Sequence, residues 1–384
     1  MLSPSAKISS DNDWSGLHGV PKFESWPENT EPMDPAVMGV TFAFYSSGTE
    51  KDINTLDDWI LPKFFNKNNP LVFLSHGYTG SPSAMQEIFE ALKQYPLNLV
   101  LVDWNKGASI KFCYPSIDLN AHLKMAGYYE AASNTRVVGA LIASYARFVS
   151  KQQDRVNLHC IGFSLGAQVC SAAARYYRTV YGSAEYWDRV TGLDPAGPVF
   201  ELAENAKHCL RKSDADFVDV IHTDILWFGT PHALGHIDFY PGKKGCVPGK
   251  KQPACWSFNL EEMPVIEDGC DYKNITLVAD HRNACPNSGL ITGSFIACSH
   301  MQAKRHYANS VRGTCRYPVE IDDKTQYMGY FVDTRKPLGT VKKGTVIEDK
   351  EPYCFATESN CVRFSAACVS LGLLLLHLYW FAFE

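Results

Sequence analysis

Short runs of unbroken apolar residues alternate with stretches of helical spacing along much of this 384-residue chain. Residues 71–75 (LVFLS), 97–102 (LNLVLV) and 217–221 (FVDVI) are mostly apolar with little alternation, and 156–162 (VNLHCIG) and 190–194 (VTGLD) read as further short strands. That is the pattern of strands covered on both faces. Between them, residues 83–94, 135–149 and 165–177 place apolar side chains three and four apart, which predicts helices. Strands alternating with helices predict the α/β class, with a mostly parallel central sheet and helices on both faces. Residues 1–35 are polar and Pro-containing and read as an N-terminal extension. After Tyr240 the pattern breaks into a loop rich in Cys, Pro and Gly that runs to about Cys298.

Composition narrows the function. Hydrophobic residues make up 46% and charged residues 20%, so a full globular core is expected. The net charge is −5, and the basic clusters Lys243-Lys244 and Lys250-Lys251 are short, so no nucleic-acid partner is expected. Thirteen cysteines without C-x-x-C spacing read as disulfides made in an oxidising compartment, which implies an extracellular protein. Residues 1–14 hold no apolar core of a secretory signal. The tail is read as residues 346–384, and its segment 369–383 is almost wholly apolar. Three readings compete for that segment: a removable lipid-anchor signal, a membrane span, or a buried terminal helix. It is short of the ~20 residues that a span needs.

The chemistry centres on Gly162-Phe163-Ser164-Leu165-Gly166, a G-x-S-x-G pentapeptide between a predicted strand and a predicted helix. The two glycines leave room for a tight turn that lifts the serine hydroxyl clear of the sheet. A serine hydroxyl needs a base held by a carboxylate, and in this arrangement the order is Ser, acid, His. Asp194, at the end of a strand and followed by Pro195, is the first strong acid candidate. Seven histidines follow it before the tail: His208, His222, His232, His236, His281, His300 and His306. Spacing does not choose among them. His300 has one argument of its own, since Cys298 lies two residues away and a disulfide there would hold its loop. An oxyanion needs two N–H donors. Leu165, next to the nucleophile, and Tyr78, in the His76-Gly-Tyr-Thr-Gly80 turn, are the candidates.

In this order the chain carries HGYTGS, LVDWNKGA, TRVVGA, GFSLGAQV, VTGLDPAGP, DADFVDVIHTD, GHIDFYP and ACSHMQAKRHYANS. Together they resemble the catalytic domain of the animal pancreatic-type lipase family, over roughly residues 36–340. The resemblance implies an α/β-hydrolase domain over residues 36–345 and a triad of Ser164, Asp194 and His300. It implies an oxyanion hole at Tyr78 and Leu165, and a lid insertion over 246–298 bracketed by Cys246 and Cys298. The implied activity is hydrolysis of glycerolipid esters at a lipid–water interface, as a triacylglycerol lipase or a phospholipase A1. The alternative is a lipid-binding, yolk-type carrier on the same fold.

Three departures matter. Only about 40 residues follow the catalytic domain, so a colipase-type partner is not implied. The stretch between Cys246 and Cys298 is long and disulfide-rich, and holds an N-x-[ST] sequon at Asn274. Arg211 stands where the family's calcium site has an acidic ligand near Asp214, so no metal or other cofactor is expected.

Overall fold

The computed structural model describes residues 20–45, 51–56, 58–109, 127–151, 156–182, 187–201, 203–225, 228–241, 249, 252, 292–313, 317–321, 324–332 and 334. An eight-stranded sheet runs through the molecule in the order β2-β1-β4-β3-β5-β6-β7-β8. The strands are β1 (Thr41–Tyr45), β2 (Lys51–Asn54), β3 (Leu71–Ser75), β4 (Asn98–Asp103), β5 (Leu158–Phe163), β6 (Arg189–Leu193), β7 (Phe217–Ile221) and β8 (Ile237–Phe239). From β4 to β8 every pairing is parallel, and β1 is antiparallel to both its neighbours. This is the α/β-hydrolase arrangement.

The five predicted strands are all present, and their unbroken apolar runs have a plain cause. Successive side chains point to opposite faces, and both faces are buried. Leu71 and Phe73 of β3 enter one core, while Val72 and Leu74 enter the other. The first core lies under α4 (Tyr128–Lys151) and α5 (Leu165–Tyr181). The second lies under α2 (Gln86–Leu92) and a long helix, Thr292–Arg312, here α6. Two shorter helices among the described residues are α1 (Pro35–Met38) and α3 (Asn105–Ala108).

The structure corrects the reading in four places. The helix expected over 83–94 is a 3-10 turn at Pro82–Met85 followed by α2. The helix expected from residue 135 begins at Tyr128. The loop expected to reach Cys298 gives way to α6, so His300 stands on a helix and not in a loop. The described end of the N-terminal stretch is built into the fold. Val20 and Trp26 belong to the first core, and Arg136 donates to Glu24 O and stacks on Trp26. Among the described residues, no helix is long and apolar enough to cross a membrane. The C-terminal segment 369–383 lies outside them.

Candidate active site

Ser164 sits between β5 and α5 with φ at +56°, a conformation that L-residues rarely adopt. The surrounding chain enforces it. Ser164 N–H donates to Leu193 O at 3.0 Å, and its carbonyl accepts from Ala167 N–H at 3.0 Å. A Cβ on Gly162 would lie 2.1 Å from Gly166 O, and one on Gly166 would lie 2.2 Å from Ser75 O. Strand, turn and neighbouring strand therefore approach more closely than any side chain permits. Leu165 opens α5, so its N–H has no acceptor within the helix. A second staple crosses the same turn. Cys160 of β5 and Cys170 of α5 form a disulfide, with both residues fully buried.

Asp194 follows β6 directly, and its carboxylate is fully buried. Oδ1 accepts from the backbone N–H of Thr223 at 2.7 Å and of Asp224 at 3.0 Å. Oδ2 lies 2.5 Å from His300 Nδ1. The carboxylate thus meets partners on both of its oxygens. The Nδ1–H then points at Asp194, which leaves Nε2 as the basic nitrogen. The His300 ring lies between Phe163 (centroids 4.6 Å apart) and Phe228 (5.4 Å). Phe163 immediately precedes Ser164, so the imidazole stands beside the turn that carries Ser164. Of the seven candidate histidines, His300 is paired with Asp194.

The glycine turn after β3 reaches the same place. A Cβ on Gly77 would meet Ser164 Cβ at 2.7 Å and Oγ at 3.3 Å. Trp104 N–H donates to His76 Nε2 at 3.3 Å, so the proton of His76 is on Nδ1, which donates to Gly77 O at 3.1 Å. Gly80 N–H donates to the same carbonyl at 3.0 Å. A trans peptide points its C=O and N–H in opposite directions. Fixing Gly77 O therefore fixes the direction of the Tyr78 N–H.

Other expected residues fall differently. Cys298 is disulfide-bonded, while Cys246 and Asn274 lie outside the described residues. Asp214 accepts hydrogen bonds from Ser171 at 2.7 Å, from Arg175 at 3.0 and 3.1 Å, and from the Arg211 backbone at 3.0 Å. Its carboxylate is thus occupied by a hydroxyl, a backbone N–H and the Arg175 guanidinium. Asp194, Asp224 and His300 offer atoms within 4.8 Å of one another. Asp194 meets N–H donors on both oxygens, which is an arrangement for proton handling. Thr223, Asp224 and Phe228 were not anticipated. The motif that holds Thr223 and Asp224, DADFVDVIHTD, was visible, but a backbone donor leaves no mark in side-chain identity.

A profile of the family described as Lipase matches residues 5–286, a stretch that holds Ser164 and Asp194. Pancreatic lipase-related protein 2 of Rattus norvegicus is 29% identical over 343 residues, covering 84% of this chain and 62% of that protein. The Sus scrofa protein of the same name is 30% identical over 321 residues, covering 78% of this chain and 58% of its own. Lipase member H of Oryctolagus cuniculus is 30% identical over 302 residues, covering 75% and 58%. The chain thus spans about 60% of the length of these relatives.

Proposed function

The chain belongs to the lipase family, and on that premise we propose that it is a secreted serine hydrolase of glycerolipid carboxylic esters. The observation that carries this reading is the 2.5 Å Asp194–His300 pair, set beside a serine held at φ +56° on a strand-to-helix turn. Ser164 Oγ attacks the acyl carbon, and His300 Nε2 takes its proton. The N–H groups of Tyr78 and Leu165 receive the oxyanion, at the positive end of α5. His300 returns the proton to the departing alcohol, and the acyl group stays on Ser164. Water, activated by the same nitrogen, then releases the fatty acid. Asp194 holds the tautomer and stabilises the imidazolium. No metal or other cofactor enters these steps.

The buried Cys160–Cys170 disulfide supports folding in an oxidising compartment, in keeping with secretion. The substrate is a glycerolipid presented at a lipid–water interface, with phospholipid and triacylglycerol as the two classes. Incubation with phosphatidylcholine and triolein emulsions, followed by mass spectrometry of the products, tests the reading. Lysophospholipid bearing the sn-2 acyl chain marks a phospholipase A1. Diacylglycerol and fatty acid from triolein alone mark a neutral lipase. Absence of both products, from folded protein, overturns the enzymatic reading in favour of a lipid carrier.

A further inference from the structure

Gln252 lies within the long cysteine-rich insertion, yet it is fully buried and makes four hydrogen bonds. Its amide –NH2 donates to Thr223 O at 3.1 Å and to Pro241 O at 2.7 Å. Its Oε1 faces His306 Nε2 at 3.1 Å, and its backbone N–H donates to Ser299 Oγ at 3.2 Å. The two carbonyls fix which way the amide is turned. His306 must then donate from Nε2, and its Nδ1 faces Tyr317 OH at 3.3 Å. Burial pushes the pKa of His306 down to about 4, which keeps it neutral in this role.

The neighbours of Gln252 are the direct supports of the catalytic pair. Thr223 N–H donates to Asp194 Oδ1, and Thr223 Oγ1 donates to the His300 carbonyl at 3.4 Å. Ser299 is the residue before His300. One amide therefore joins the strand end that holds the acid to the helix that carries the base. Each of its polar atoms is satisfied, and an unsatisfied polar group at such depth is costly. A hydrophobic plug would fill the space without making these bonds.

We propose that Gln252 is a positioning residue for this reaction. It holds Thr223 and Ser299 so that Asp194 and His300 keep their short hydrogen bond, an inference that rests on the triad reading above. Gln252→Met keeps the length and removes the three side-chain bonds, leaving the backbone bond to Ser299 in place. Gln252→Glu keeps the acceptor for His306 and removes the –NH2. Both variants of the full chain are compared with wild type on a soluble short-chain p-nitrophenyl ester. The Nδ1 proton of His300 is followed in parallel as a downfield proton NMR resonance. The expected result, in folded protein, is a fall in kcat of about tenfold or more, with KM within about twofold and the resonance shifted or lost. A kcat within about twofold of wild type and an unmoved resonance, in either folded variant, overturn the proposal. Ser299→Ala removes one hydroxyl and gives a readout even where substitution at Gln252 blocks folding. There a fall in kcat of about threefold is expected, and an unchanged kcat overturns the proposal. Ser164→Ala separates the two claims. Full activity in that variant sinks the triad reading. An inactive Ser164→Ala beside unchanged Gln252 variants sinks only this inference.

Discussion

At the scale of the residue, the site depends on directions set by the backbone. Asp194 meets two peptide N–H groups and the imidazole Nδ1, and this orients the ring of His300. Asp194→Asn exchanges one acceptor oxygen for a donor and favours the wrong tautomer. It should lower kcat by about ten-thousand-fold with little change in KM, measured on a soluble ester. A loss below about tenfold would remove Asp194 from its assigned role. Ser164 was legible because its turn demands glycines at fixed offsets. Asp194 was legible because it ends a buried strand. His300 was not legible from spacing, since its partner is 106 positions away and contact across the fold leaves no local trace. The nearby Cys298 gave it one argument of its own, and the family resemblance pointed to the same residue. Gln252 was invisible for another reason, because a glutamine in a polar loop looks the same whether it is solvated or buried.

At the scale of the element, the strand–turn–helix unit of β5 and α5 does most of the positioning. Its close approach is tested by Gly166→Ala, whose methyl would lie 2.2 Å from Ser75 O on β3. The clash is with backbone, so it is relieved only by moving the strand or the helix. The expected outcome is a loss of about 2 kcal/mol or more in urea unfolding, with loss of turnover. Unaltered stability and rate would mean that the turn is looser than described. The buried parallel strands were readable as unbroken apolar runs. β2 and β8 were missed because they have only four and three residues. β1 was missed although Phe42 and Phe44 alternate with half-buried neighbours. The helix α6 was missed because Ser299, His300, Lys304 and His306 are polar yet buried. A helix that turns polar residues inward has its apolar stripe interrupted there.

At the scale of the whole molecule, buried neutral histidines set the response to acid. Burial lowers the pKa of His306 from 6.5 to about 4 and holds His159 well below its ordinary value. Above pH 6.5 both states are neutral. As pH falls below 6.5, the unfolded chain binds protons that the folded chain refuses until about pH 4. Stability is therefore lost across that window, by up to about 3 kcal/mol for His306. Unfolding midpoints in urea should fall steadily between pH 6.5 and 4, and His306→Gln should flatten the slope. A midpoint constant across that range would contradict the burial of these rings.

The central claim is that Ser164 is an activated nucleophile. The most direct test is covalent trapping with an alkyl fluorophosphonate, followed by peptide mass mapping. One phosphonyl group per chain is expected, on the peptide that holds Ser164. The adduct should be absent in Ser164→Ala and form far more slowly in His300→Ala. No adduct on folded protein, or an adduct on another residue, would contradict the account.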